Sequence, residues 1–338
     1  MLSVVWLLAV AAVGTAVVWV GSTRLETAAN RLALAYGFPA VVQGAIIAAV
    51  GSSMPELVSV LVATFRYGEF ELGVGAIVGS AVFNLLVIPG IAALVNGGLP
   101  ASRAIVYKEA LFYMLSVAAL LLTFSLAVVY YPWDGAEVGG TVTRTLALFP
   151  LGLYALYLFV QYLDVTDHDA EPRDEIDQLR NWAIFLAGIV VIVIGVEALV
   201  WAAVGLGESF GTPAFLWGLT VVAAGTSLPD AFVSVAAARA ERPTVSLANV
   251  LGSNVFDLLV AIPIGVLIAG TLAVNFAHVA PMMAFLVFST VAFFAFARTD
   301  MHLSHREAWA MLTLYGLFVL WLLAESVGLT GIIAPEAR

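Results

Sequence analysis

Cysteine is absent from the sequence, which excludes disulfides and thiolate metal sites. Lysine is nearly absent: Lys108 stands against twelve arginines, and 23 acidic residues leave a formal net charge of −10. An acidic, lysine-poor chain argues against a nucleic-acid partner. It suits a halophilic source, where acidic surfaces stay hydrated in strong salt; a GC-rich genome favouring arginine is the alternative. Charge of either sign is scarce, at 11% of residues against roughly 25% in soluble domains. With 62% hydrophobic residues and a mean hydropathy of +1.05, the chain reads as a polytopic membrane protein.

Two function classes fall with these absences. A retinal receptor needs a mid-membrane lysine, and Lys108 sits at the start of an apolar run. Asp230 and Asp257 taken as an intramembrane aspartyl protease dyad would need a Gly-x-Gly-Asp motif, which the sequence lacks.

Runs of about 20 apolar residues can cross a hydrocarbon core. Ten are present, near 2–20, 38–65, 71–96, 105–130, 144–163, 182–205, 212–238, 244–270, 279–298 and 307–327. The first has no basic leader and reads as a transmembrane helix rather than a cleaved signal. Residues 164–180 form a charged stretch, read as a solvated linker between two halves, 1–163 and 181–338. With the N-terminus outside, ten basic residues fall on the inner side, while Arg66, Arg144 and Arg338 fall outside. The bias predicts a cell-membrane protein with both termini extracellular and the linker in the cytoplasm.

Two polar hexapeptides interrupt the apolar runs: Gly51-Ser52-Ser53-Met54-Pro55-Glu56 and, 174 positions on, Gly225-Thr226-Ser227-Leu228-Pro229-Asp230. A proline inside a helix removes an N–H and clashes with the carbonyl four residues back, so each hexapeptide predicts a kink or break. An acid at that depth is a functional-site candidate by default. A second pair follows, Gly79-Ser80-Ala81-Val82-Phe83-Asn84 and Gly252-Ser253-Asn254-Val255-Phe256-Asp257, 173 positions apart. Five runs per half is an odd number, so the halves are expected in opposite orientations. The predicted fold is an all-α integral membrane protein of ten transmembrane helices in two inverted-topology five-helix repeats. Interrupted helices at matching places in such halves point to a secondary transporter, not an enzyme.

Helical i, i+4 spacing sets Ser52 with Glu56, Thr226 with Asp230, Ser80 with Asn84 and Ser253 with Asp257. An all-oxygen set without His or Cys suits hard cations such as Ca²⁺ and Na⁺. Any lone hydroxyl among them is more simply bonded to its own i−4 carbonyl. Glu26, Glu109, Glu197 and Glu325 lie nearer run ends and read as interfacial, and His278 and His302 as satisfied surface histidines.

These motif pairs resemble the alpha repeats of the cation/calcium exchanger superfamily, the sodium/calcium exchangers and their relatives. The stretch Gly73–Asn84 and the Asp at position 230 are most similar to the potassium-dependent branch. The resemblance implies that Glu56 and Asp230 are central acids for Ca²⁺ and Na⁺, flanked by Asn84 and Asp257. It implies hydroxyl ligands from Ser52, Ser53, Thr226, Ser227, Ser80 and Ser253, and carbonyl ligands from Ala49 and Ala223. The expected activity is Na⁺/Ca²⁺ antiport by alternating access, with no cofactor; K⁺ co-transport is a possible addition and proton/Ca²⁺ antiport the alternative. Besides these cations, the partner expected is the lipid bilayer.

Overall fold

A computed structural model describes residues 3–36, 49–163, 177–240, 242–326 and 329–331. Helix α1 (Val4–Ala35) starts at Ser3, whose side chain accepts the Trp6 N–H and satisfies one free donor of the first turn. It runs 15 residues past the expected end at residue 20. Arg24 and Glu26 end the apolar run but not the helix, because Leu25, Ala28, Ala29, Leu32 and Ala33 continue a buried stripe.

After α1 come α2 (Ala49–Ser52), α3 (Met54–Val62), the π-turn Ala63–Tyr67 and α4 (Phe70–Asn96). A π-turn at Ala104–Glu109 leads into α5 (Ala110–Tyr130), followed by α6 (Arg144–Leu163) and α7 (Gln178–Phe210). Next, α8 (Ala214–Trp217) passes through the π-turn Gly218–Val222 into α9 (Ala223–Arg239). In turn, α10 (Pro243–Phe256) passes through the π-turn Asp257–Ala261 into α11 (Ile262–Ala269), and α12 (Phe276–Arg298) and α13 (His305–Ser326) close the order. Among the described residues, nine of these helical runs are long and apolar enough to cross a membrane. They match nine of the ten expected runs, and the tenth, 38–65, is described only from Ala49 onward. Most of the acidic linker, 164–176, lies outside the described residues.

Short ribbons that hydropathy did not suggest tie the loops. Strand β1 (Leu99–Pro100) pairs with β4 (His302–Leu303), and β2 (Gly139–Thr143) pairs with β3 (Thr271–Asn275), both antiparallel. Helix α5 separates β1 from β2, and α12 separates β3 from β4. The two ribbons therefore stand at opposite ends of the bundle, each joining a loop of the first half to one of the second.

Glycine places α1 against α7. A β-carbon at Gly14 would lie 2.9 Å from the Gly195 carbonyl oxygen, and one at Gly21 would lie 3.1 Å from that of Gly188. Only residues without a side chain let two backbones come this close. The same 174-residue offset relates Gly14 to Gly188 and Gly21 to Gly195, and the pairs cross in antiparallel order. The buried apolar residues divide accordingly. One cluster joins α1 and α7 to parts of α3, α4 and the start of the α8–α9 run; a larger one unites most of the remaining helices.

Candidate cation site

The first hexapeptide behaves as its proline predicts. Helix α2 ends at Ser52, Ser53 leaves helical geometry (φ −88°, ψ 6°), and α3 restarts with Pro55 in its first turn. That puts Glu56 at a helix N-terminus, where backbone N–H groups favour an anion. In the second hexapeptide the helix does not break: α9 runs through Pro229, and a π-turn at 218–222 feeds it.

The motif residues converge at depth. Glu56, Asp230, Asp257, Asn84, Ser52, Ser53, Ser80, Thr226, Ser227 and Ser253 are all at most 2% exposed, so the site is closed to both sides. Ala223 is buried as well, while Ala49 opens α2 and is described by its backbone alone.

The hydroxyls expected on the same helix faces as the motif acids and amide also reach across to the other motif copy. Ser52 and Ser253 share a hydrogen bond of 3.0 Å, and Ser80 and Ser227 share one of 2.7 Å. The Ser53 hydroxyl reaches the Ser253 carbonyl at 3.4 Å. Thr226 and Ser227 stand beside Glu56, Ser52 and Ser253 beside Asp230, and Ser53 beside Asp257. Thr226 and Ser227 of the second hexapeptide thus stand around Glu56 of the first, and Ser52 of the first stands beside Asp230 of the second, joined there by Ser253. The reason is the antiparallel crossing, which brings the two hexapeptides face to face. Thr226 also donates to the carbonyls of Val222 (3.1 Å) and Ala223 (3.3 Å), the ordinary bond of a helical threonine.

Asn254 is a site residue that sequence reasoning passed over. Its Oδ1 accepts from Asn84 Nδ2 at 2.9 Å, and its Nδ2 donates to the Ala81 carbonyl at 3.2 Å. With Nδ2 engaged, Asn84 is left presenting Oδ1, which is buried without a hydrogen bond. The signal was the motif position where the two copies differ in polarity, Ala81 against Asn254.

Among the described residues, all six oxygens of Glu56, Asp230 and Asp257 are buried and accept no hydrogen bond. Uncompensated buried carboxylates cost several kcal/mol each, so this cluster is built to receive positive charge. The acids act on one another electrostatically, Glu56 on Asp230 and both on Asp257. No three His, Asp or Glu side chains among the described residues converge tightly enough to share one ion, however. Asp257, expected to flank the two central acids, heads the π-turn 257–261, where the backbone register shifts.

Other polar groups also sit differently from expectation. Glu109 is buried, accepting from Tyr157 (3.2 Å) and Gln161 (2.9 Å). Glu197 lies well inside α7, paired with Arg66 at 3.4 Å and accepting from Tyr67 at 2.9 Å. Glu26 packs behind the first break, its Cα 3.7 Å from where a Gly51 β-carbon would be. Glu325 is buried near the end of α13 and accepts from Thr330. His278 is buried rather than a surface residue, 2.9 Å from Glu71 and stacked near Phe215.

Comparison with known proteins places this architecture. The Inner membrane protein YrbG of Escherichia coli (strain K12) is 27% identical over 268 residues, 76% of this chain and 78% of that one. The solved structure of the sodium-calcium exchanger NCX_Mj, soaked with 10 mM Na⁺ and zero Ca²⁺, is similar with a TM-score of 0.62 at 21% identity, covering 94% of this chain and 99% of that chain. The structure of the H⁺/Ca²⁺ exchanger CAX is similar with a TM-score of 0.71 at 17% identity, covering 97% of this chain and 87% of that one. The family model described as Sodium/calcium exchanger protein matches residues 6–163 and 180–324, so the chain belongs to the sodium/calcium exchanger family of membrane transporters.

Proposed function

We propose that the protein is a secondary antiporter that moves Ca²⁺ across the cell membrane in exchange for Na⁺ by alternating access. The supporting observation is the reciprocal site, where buried unpartnered carboxylates of each half lie beside hydroxyls of the other. Ca²⁺ takes six to eight oxygen ligands from carboxylates, carbonyls and hydroxyls, which is the donor chemistry gathered here. Glu56 and Asp230 hold the ion, Asn84 contributes Oδ1, Ser52, Ser53, Ser80, Thr226, Ser227 and Ser253 add hydroxyls, and Ala49 and Ala223 add carbonyls. Asp257 holds an accompanying monovalent cation. An empty site resists reorientation because its charges are unpaired, and that penalty couples the two fluxes.

In this reading ten transmembrane helices form two five-helix halves of opposite orientation, 1–163 and 181–338, joined by a cytoplasmic linker, with both termini outside. Several pairs recur at the offset of 174: Leu25 packs on Gly51 as Leu199 packs on Gly225, and Gly14 and Gly21 answer Gly188 and Gly195. The separate apolar cluster of α1 and α7 supplies a body able to shift against the rest.

Isotope flux in proteoliposomes, with Na⁺, H⁺ and K⁺ gradients imposed one at a time, tests the reading. Inward Na⁺ is expected to drive Ca²⁺ the other way. Ca²⁺ movement that follows a pH gradient and ignores Na⁺ would replace Na⁺ with the proton.

A further inference from the structure

Helix α6 carries none of the motif residues, yet it brings one group to the site's edge. Tyr154 is near the middle of α6, as Asp257 is near the middle of the run from Pro243 to Ala269, so the two share a depth in the bundle. The Tyr154 ring packs edge-on against Phe256, the residue before Asp257, with centroids 5.8 Å apart and planes at 77°. The Tyr154 hydroxyl and both Asp257 carboxylate oxygens are buried without hydrogen-bond partners among the described residues.

A donor and an acceptor buried unpaired beside each other each cost about 1–3 kcal/mol, and bonding to one another removes both costs. The Asp257 charge is felt at the Tyr154 hydroxyl. A second phenol, Tyr113, feels the same charge, and its oxygen accepts from Asn254 Nδ2 at 3.5 Å. One turn further along α6, Tyr157 donates to Glu109 and Gln161 donates to the same carboxylate, bracing α6 on the start of α5. Tyr154 therefore projects from a braced helix.

We infer that Tyr154 is a positioning residue of the ion site, whose hydroxyl aims the Asp257 carboxylate at the monovalent cation. The inference rests on the antiport reading above, and it adds a fifth segment to the four that the motifs define.

Tyr154→Phe keeps the ring on Phe256 and deletes one oxygen, so loss of fold is not the expected result. Its half-saturating Na⁺ concentration should rise about tenfold, the worth of one hydrogen bond to a charged group, while that for Ca²⁺ changes less than about twofold. In an Asp257→Asn background the same substitution should have no further effect, because the group it aims is gone. Tyr157→Phe removes a hydroxyl bound to Glu109 but leaves Gln161 to brace α6 on the same carboxylate, and should leave Na⁺ dependence unchanged. If Tyr154→Phe matches wild type while Asp257→Asn alters Na⁺ dependence, the inference is overturned. An equal shift in the Asp257→Asn background overturns it too. A wild-type protein showing no cation-driven Ca²⁺ flux would overturn the antiport reading itself, and the inference with it.

Discussion

In the first half the chain breaks at Ser53, between α2 and α3, while Gly79–Asn84 lies inside an unbroken α4. In the second half the roles reverse: Thr226–Asp230 lies inside an unbroken α9, and the run through Gly252–Asp257 gives way to a π-turn at Asp257. Near-identical sequence devices therefore hold opposite local conformations within one molecule. Space follows the same division. A β-carbon at Gly51 would find its nearest neighbour at 3.5 Å, whereas one at Gly225 would meet Leu199 and Thr15 at 2.8 Å. Under the antiport reading proposed above, each segment displays the conformation the other adopts after the switch, which would be a concrete form of alternating access.

The relation between halves is broken most directly by topology, where the outcome is all or none. The loop after α5 and the loop after α12 should face opposite sides of the membrane. Without native cysteine, single replacements at the exposed Asp134 and Thr299 give a clean background. A membrane-impermeant thiol reagent on intact cells should label position 134 and spare position 299. Equal labelling would contradict opposed halves.

Reciprocity at the site predicts that the acids are equally indispensable although one heads a helix and the other sits within one. Glu56→Gln and Asp230→Asn each keep volume and hydrogen-bonding capacity but delete a charge that compensates a dehydrated cation. Each should lower Ca²⁺ flux by at least about a hundredfold, on the scale of 3–5 kcal/mol for a broken buried ion pair. Near-wild-type flux in either, at equal membrane abundance, would remove that acid from the site.

Where sequence reasoning succeeded and where it stopped both have physical causes. Hydropathy locates nine runs because lipid demands about 20 apolar residues, and buried Glu56 and Asp230 stand out because acids are expensive there. Helical periodicity, by contrast, describes one helix at a time. It set Ser52 with Glu56 and had no access to the crossing that sets Ser52 beside Asp230. The same limit hid Asn254, whose partners Asn84 and Ala81 lie some 170 residues away, at sequence separations of 170 and 173. Proline predicts a kink or break in both hexapeptides, but that rule alone does not tell that the first breaks at Ser53 while α9 continues through Pro229.

The conformational contrast itself can be sharpened with two glycines. Gly225→Ala forces a methyl group against Leu199 and Thr15, a misfit of about 1–3 kcal/mol that disfavours the described conformation. Gly51→Ala meets no such neighbour and adds helix propensity of up to about 1 kcal/mol. Flux at equal abundance should therefore fall about tenfold in Gly225→Ala and at most about twofold in Gly51→Ala. The opposite ranking would show that the second half, not the first, has the room to switch.

Potassium gives the smallest expected effect and probes the asymmetry between Asn84 and Asp257, the one place where the second motif pair carries a charge that the first does not. Three Na⁺ neutralise three carboxylates, whereas one Ca²⁺ leaves about one negative charge. The antiport reading proposed above assigns that charge to Asp257, the acid whose counterpart in the other motif copy is the neutral Asn84. Asp230 is a methylene shorter than a glutamate, which widens the site by roughly one C–C bond, ~1.5 Å. A larger monovalent ion then competes with a water or another Na⁺ as the companion of Ca²⁺, and a K⁺ response is what the first of these predicts. In Na⁺-driven flux assays, adding K⁺ to choline-balanced vesicles should raise apparent Ca²⁺ affinity about threefold, the scale of a partly screened single-charge interaction. Asp257→Asn should abolish that response while retaining the Na⁺-driven flux that Glu56 and Asp230 support. Indifference of the wild type to K⁺ across the titration would leave Na⁺/Ca²⁺ exchange alone and assign Asp257 to Na⁺.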